Sequence, residues 1–405
     1  MKKIMIIGSL DTKEEEFLYV KKVIESASIE TILVDTGIYE SSVPGDVTNQ
    51  EVAAEGGFSL QALQEKNDRG EAVTAMATGA GKVVQRFLNE EKLAGIFGMG
   101  GTAGTTIAAE AMKAAPVGMP KMIVSTVASG NTRPYVGEKD VTMMYSVVDI
   151  AGLNSLSALI LQNAANALVG MVKGVNSKNK MQKKKPMIGA TMFGVTTPCV
   201  TNTRKILEQK GYDVLVFHAT GTGGDAMESL INDGFIEGVV DITTTELADQ
   251  LVGGIFSAGA HRVETAGNKG VPQVVSVGAL DMVNFGAPET VPEKFTGRTF
   301  YQHNPTTTLM RTTVEENEKL GVILAEKVNK STGPSIVVFP KGGVSLLDRD
   351  GQAFDGIEQR NALYNGIKKN LREDILFVEV EQDINDPTVS TLIAEKLLLL
   401  MNKGE

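Results

Sequence analysis

Two doubly wound α/β units with mainly parallel sheets are predicted for this chain by three features of its sequence. Short apolar runs that break into glycine, serine and threonine alternate with amphipathic stretches from end to end, the pattern of repeated βα units. At 405 residues the chain is longer than the size at which one hydrophobic core stops growing. The layout also repeats: Lys2 to Gly37 and Lys184 to Gly221 each run from a basic lead through an apolar strand, a polar turn and an amphipathic helix to a strand ending in polar residues and glycine. That echo predicts two Rossmann-like subdomains related by internal duplication.

In chain order, KIMIIGS (Lys3 to Ser9) reads as a first buried strand, because its apolar run is too short for a signal peptide. ETILVDTG, AGIFGMG, KMIVST and VTMMYSV follow as strands. From Ile150 to Val172 no charged residue occurs, a length that could span a bilayer. Asn154, Gln162, Asn163 and Asn166 would leave amides unsatisfied in lipid, so a helix buried between domains or in a dimer interface is expected there. The polar, basic run at 176–185 reads as a linker between a first subdomain at 1–175 and a second at 186–405. Beyond it, EGVVDITTTEL, PQVVSVGALD and SIVVFPKGG each read as a strand breaking into small polar residues.

Composition narrows the function classes. With 39 Lys and Arg against 49 Asp and Glu, the net charge of −10 opposes broad binding to nucleic acid or a membrane surface. A single cysteine, Cys199, excludes an intramolecular disulfide and a cysteine-cluster metal site, so a reducing, cytoplasmic setting is expected. Beside Pro198, with no basic cluster near it, Cys199 reads as a packing residue at a helix start rather than a nucleophile.

The stretch AGIFGMGGTAGTTIAAEAM, Ala94 to Met112, carries the clearest functional signal. A strand runs through four glycines directly into a helix, and such a turn suits an anion: backbone can approach closely, and first-turn N–H groups point outward. Gly98, Gly100 and Ala103 fit G-x-G-x-x-A, but the next strand ends in Ser125 and Thr126 instead of the acid that would hold a ribose. That weakens NAD and leaves other phosphorylated ligands. ATGAGKVV, Ala77 to Val84, lacks the first glycine and the hydroxyl of a phosphate-binding P-loop and reads as a decoy. The strand ends of the first half also supply Asp11, Lys13 and Asp35. Asp35 is the candidate for ribose hydroxyls, and Asp11 is either a helix N-cap in a capping box with Glu14 or a carboxylate near phosphate-bound Mg²⁺.

All three histidines fall in the second half, beside turn residues: His218, His261 and His303. Two or three of them meeting at one sheet edge could serve as general base or metal ligands, and His218 and His303, with Asp241, are the catalytic candidates. Their separations show no metal-ligand spacing, and no metal site is expected. Around them Thr196, Thr197, Gly221, Gly223, Gly224, Asn304, Arg311, Lys341 and Gly342 are the candidates for an anionic substrate. Arg262 is a further cation near these turns.

With these turns identified, the chain resembles the family of the amino-terminal ATP-binding domain of the tomato mosaic virus resistance protein, over essentially its whole length. The resemblance rests on GSLDTK, GMGGTAGT, VSTVASGNT, YSVVDIAGLN, GATMFGVTTPCV, FHATGTGG, VVSVGALDMVNFG, HNPTTTLMRTT and FPKGGVS. It implies two Rossmann-like subdomains, ATP binding and homodimerisation. Matching motif by motif carries nucleotide contact onto Gly8, Ser9, Gly98, Gly100, Gly101, Thr102, Ser129, Gly130 and Asn131; Gly104 and Thr105 of the same turn join the set, with Asp11 and Asp35.

Three functions remain open from sequence. The first is an ATP-binding enzyme, with or without Mg²⁺, acting on a small anionic substrate at a cleft between the subdomains. The second is a module that holds ATP and presents a surface to a protein partner. The third is a nicotinamide oxidoreductase.

Overall fold

The computed structural model describes residues 2–176 and 185–402, and its packing divides the chain into two units, Met1–Met181 and Gln182–Glu405. The segment expected as a linker, 176–185, lies almost wholly outside the described residues.

In the first unit five strands form one parallel sheet: β1 (Lys3–Gly8), β2 (Thr31–Asp35), β3 (Leu93–Gly100), β4 (Lys121–Ser125) and β5 (Thr142–Tyr145), in the order β2-β1-β3-β4-β5. Because successive side chains of a strand point to opposite faces, β1 feeds two cores. Met5 and Ile7 pack with the helices Arg69–Asn89 and Thr102–Lys113, while Ile4 and Ile6 pack with Leu10–Ser26 and Ser155–Asn176. Both faces of the sheet are therefore covered, as a parallel sheet requires. The P-loop decoy falls inside the helix Arg69–Asn89, where a Cβ at Gly79 would lie 1.9 Å from the carbonyl oxygen of Val52; that glycine permits two helices to touch.

The uncharged stretch forms the helix Ser155–Asn176, the one helix among the described residues long and apolar enough to cross a membrane. One of its faces, with Leu161, Ala164, Ala165, Leu168 and Val172, is buried against the first helix and the sheet, and Leu156 and Leu159 are exposed.

The second unit holds six parallel strands, β6 (Met187–Met192), β7 (Asp213–His218), β8 (Gly238–Thr243), β9 (Gln273–Gly278), β13 (Ser335–Pro340) and β14 (Leu376–Val380), ordered β14-β13-β9-β8-β6-β7. Between β9 and β13 lies a small antiparallel sheet that the sequence analysis did not foresee, β10 (Met282–Phe285), β11 (Phe300–Asn304) and β12 (Thr307–Arg311), ordered β10-β12-β11.

Counted within each unit, both parallel sheets follow the order 2-1-3-4-5, and the second adds a sixth strand. This is the flavodoxin-like arrangement, so the two-unit α/β expectation holds. Unrelated doubly wound proteins share the order, and it therefore says nothing about duplication.

Candidate functional site

In an open parallel sheet ligands bind beyond the carboxyl ends of the strands where the strand order reverses. In the first unit that point lies between β1 and β3, and a cavity of about 650 Å³ opens there, within the ~300–1,000 Å³ usual for ligand pockets. Ser9, Asp11, Thr12 and Lys13 contribute from the end of β1, Thr36 to Tyr39 from the end of β2, and Gly101 to Gly104 from the end of β3. The helix starting at Arg69 adds Ala72, Val73 and Met76, which form an apolar wall with Met99 and Ile107. Arg69 and Tyr39 are exposed at this cavity.

The four glycines of the turn have different reasons to be glycine. A Cβ at Gly98 would stand 2.4 Å from Ala108 Cβ, and one at Gly104 would stand 2.9 Å from Met99 O, so both let the helix Thr102–Lys113 close onto β3. Gly100 has φ of 157°, and its Cβ would meet Gly104 Cα at 2.9 Å. Gly101 is unlike them. It adopts φ −75° and ψ −159°, which any residue can take, and a Cβ there would meet only Thr126 Oγ1 at 3.7 Å. Nothing in the protein requires glycine at 101, yet it lines the cavity as the N-cap of a helix that no side chain caps. The first-turn N–H groups of that helix and its dipole favour an anion in front of it.

Several expected nucleotide contacts are occupied by the fold. Gly8 lies against the Phe17 ring, with a Cβ 1.7 Å from its Cζ, and so serves packing. Thr105 is buried, bonding Ser125 Oγ at 2.7 Å and donating to Gly100 O at 3.3 Å, which fastens helix to strand. Asp35, 3 % exposed, accepts at Oδ1 from the N–H groups of Leu10 (3.1 Å) and Gly37 (2.8 Å), and burial raises its pKa above the usual carboxylate range. It braces two loops instead of facing a ribose. Ser129, Gly130 and Asn131 sit exposed after β4 and do not line the cavity; the Asn131 side chain accepts from Arg133 N. Ser9, Thr102 and Gly104 do line it.

Asp11 corrects the capping-box expectation. The helix begins at Leu10 with Ser9 as its N-cap, and Glu14 turns away to accept from Ser42 N and Oγ. Asp11 Oδ2 accepts from Ile38 N and Tyr39 N at 3.1 Å each, ordering the loop after β2. Its Oδ1 is buried without a hydrogen-bond partner. At Lys13 the helix kinks, with φ −140° and ψ 33°, and the ammonium beside the cavity donates to Ile150 O.

In the second unit the glycines and Asp241 serve a buried ion-pair network. Arg262, 1 % exposed, donates from Nη2 to Asp241 Oδ1 (2.7 Å), from Nη1 to Asp241 Oδ2 and from Nε to Glu246 Oε2 (both 2.5 Å). Thr191 Oγ1 also donates to Asp241 Oδ1, leaving neither carboxylate oxygen free for catalysis. Glu246 Oε1 accepts from Gly221 N and Gly224 N, and a Cβ at Gly224 would stand 2.5 Å from Glu246 Oε2. A Cβ at Gly223 would lie 1.9 Å from His218 O. These three glycines therefore accommodate neighbouring protein atoms. Burial tends to lower the guanidinium pKa of Arg262, but Asp241 and Glu246 hold it well above its ordinary value.

The remaining substrate candidates are largely engaged as well. Arg311 is 7 % exposed and pairs with Asp348 at 2.8 Å. Thr196 is buried against Thr243 Oγ1, Thr197 donates to Phe193 O, and Asn304 accepts from Thr306 within its turn. A Cβ at Gly342 would lie 2.6 Å from Asp383 N, so this glycine also serves packing. Lys341 bridges Glu379 (2.8 Å) and Glu381 (3.1 Å), which raise its pKa. His218 and His303 are both exposed and border adjacent residues: His218 meets the Phe193 ring edge-on at 5.5 Å, and His303 Nε2 would be 4.0 Å from a Cβ at Gly194. His261 Nδ1 lies 3.3 Å from Glu264 Oε2. Cys199 is buried at a helix start, and burial pushes its thiol up to about 12.

Ile38, Tyr39, Arg69 and Met76 also line the cavity and were not among the residues expected there. Arg69 follows the N-cap Asp68, a helix-start signal that was present in the sequence; the apolar wall has no motif because it comes from separate elements.

Comparison with known proteins places this geometry in a family. Residues 2–177 match the N-terminal domain, and residues 185–401 the C-terminal domain, of an uncharacterised protein family, UPF0261. A UPF0261 protein of Clostridium tetani is 51 % identical, covering 99 % of this chain and 100 % of its own length. The ToMV resistance protein Tm-1(GCR237) of Solanum lycopersicum is 38 % identical over 99 % of this chain, which spans 56 % of that protein. Among solved structures, the Streptomyces sp. SF2575 glycosyltransferase SsfS6, complexed with thymidine diphosphate, aligns over 98 % of this chain and 100 % of its own at 12 % identity; its TM-score of 0.19 carries no argument.

Proposed function

The chain belongs to the UPF0261 family, whose description names no reaction, and from the geometry of its first unit we propose that it binds ATP in the switch-point cavity. Gly101 carries the proposal. It is a glycine that the protein's own packing does not need, at the helix N-terminus that faces the cavity. The γ- and β-phosphates would lie against the N–H groups of Thr102 to Gly104, with Lys13 and Arg69 as counter-charges. The base would rest on the apolar wall of Val73, Met76 and Ile107, with Tyr39 beside it.

A divalent cation fits the donor set through Asp11, whose buried Oδ1 has no partner, and Mg²⁺ bound there would neutralise phosphate charge. No histidine lines this cavity, so the reading concerns nucleotide binding itself. Turnover is a further property of any substrate brought to the phosphates. The module that holds ATP without consuming it is favoured by the same observation.

Isothermal titration with ATP, ADP and NAD, with and without Mg²⁺, tests the proposal on the wild type and on Gly101→Val. A valine fits the backbone at 101 but fills the phosphate seat, so ATP affinity should drop at least about 100-fold while the melting temperature holds. Equal affinity in the two proteins would remove the cavity from consideration. NAD binding more tightly than ATP would select the oxidoreductase reading instead.

A further inference from the structure

A second cavity, of about 360 Å³, lies in the second unit at the carboxyl ends of β13 and β14, beside the start of the helix Ile357–Asn370. Its floor is aromatic, with Phe339 and Tyr364 edge-on at 5.4 Å, and Ile357 at its border is 67 % exposed. The polar wall includes Arg360, and the bonding of this side chain is lopsided. Nη1 makes every hydrogen bond found for the guanidinium: to Asp348 O, to Asp348 Oδ1 and to Asp355 Oδ1, each at 3.0 Å. Nε is buried without a partner, although the side chain is only 11 % exposed. One edge of the fork is thus anchored by two carboxylates, and the Nε edge, which pairs bidentately with carboxylates and phosphates, is unused. Buried donors without partners are rare in folded proteins.

We propose that this cavity is a ligand site for a small molecule with a carboxylate or phosphate group and an apolar body. The oxyanion lies along the Nε edge of Arg360 and reaches Lys341, and the body rests on Phe339, Tyr364 and Ile357. Lys341 is shared between Glu379, which Tyr364 and Lys368 also hold, and Glu381, whose side chain is 80 % exposed. Glu381 is therefore the counter-ion that the ligand displaces. Arg311, placed with the substrate candidates by sequence, takes no part, because Asp348 holds it inside the protein.

The test is calorimetric titration of the full chain with benzoate, phenyl phosphate and uncharged benzyl alcohol. At least one anion should bind saturably while benzyl alcohol stays silent; the anion that binds tighter assigns the ligand as a carboxylate or a phosphate. Arg360→Lys keeps the charge beside Asp348 and Asp355 but removes the Nε edge, so anion affinity should fall about tenfold or more. Glu381→Gln removes the competing carboxylate from an exposed position, so affinity should rise roughly threefold. If Arg360→Lys does not fold, Glu381→Gln alone decides. The proposal is overturned if neither anion binds at millimolar concentration, or if affinity in Glu381→Gln equals that of the wild type. Gly101→Val should leave this binding unchanged, which separates it from the nucleotide site.

Discussion

Arg262 shows how a residue can look functional in sequence and be structural in the fold. Asp241 and the glycines of His218 to Gly224 read as strand-end chemistry, yet together with Glu246 they belong to the network of one buried guanidinium. Removing it should be costly, because Asp241 and Glu246 would remain as buried, uncompensated charges. Arg262→Leu is expected to lose about 3–5 kcal/mol and to lower the melting temperature by roughly 10 °C, read by calorimetry. A shift below about 2 °C would show that the network relaxes. Asp249 supplies one pH dependence: it is 1 % exposed, and burial pushes its carboxyl up to about 7, despite the N–H groups of Asn284 and Phe256 that it accepts from. Its folded pKa lies above its unfolded one, so the native state holds the proton longer and stability falls as pH rises from about 4 to about 7. Between pH 5 and pH 8 this group should cost the wild type about 2 kcal/mol. Asp249→Asn, which does not titrate, should be less stable at pH 5 and lie closer to the wild type at pH 8, as urea unfolding at the two pH values would reveal.

The strand-to-helix turn after β3 is the element that the sequence disclosed most fully, and also the one where it could not separate function from packing. Four glycines read as a single phosphate cradle, but three of them are fixed by the approach of the helix to the strand. The distinction depends on atoms from Ala108 and Met99, which no local pattern reveals. It makes a paired prediction. Gly98→Val should lose stability by about 1–3 kcal/mol or more, since its side chain would enter space held by Ala108, whereas Gly101→Val should melt within about 2 °C of the wild type. Thermal unfolding of the two variants side by side checks this, and equal destabilisation would mean that Gly101 too is a packing residue. Most parallel strands were legible because they are continuous apolar runs ending in small polar residues, as strands buried on both faces must be, whereas the edge strand β14, LFVEV, half-exposed and interrupted by Glu379, was not foreseen. Nor was the antiparallel sheet. β11 is exposed along its whole length and carries no buried face, so its sequence, FYQHN, lacks the alternation that marks a strand packed on one side. Asn304-Pro305-Thr306 before β12 was the turn signal that went unused.

At the scale of the whole molecule, each buried apolar cluster among the described residues lies within one unit. Two clusters belong to the first sheet and its helices, and four to the second unit. Composition and length predict two cores because one could not bury so long a chain; they do not say which core carries the ligand. The proposed nucleotide site belongs to one unit, since all the residues lining its cavity lie between Ser9 and Asp149. Independence then becomes a testable property. Residues 2–176 produced alone should fold, because their sheet is covered on both faces by their own helices, and should bind ATP within about threefold of the full chain. Residues 185–402 should bind no nucleotide and should retain the oxyanion site around Arg360. Far-ultraviolet circular dichroism establishes folding, and titration of each piece with ATP and benzoate reads the two activities. If the first piece folds but loses ATP by tenfold or more, the second unit completes the nucleotide site. The self-contained cavity would then be only part of it, and His218 and His303, exposed beside Phe193 and Gly194, would be the first residues to substitute.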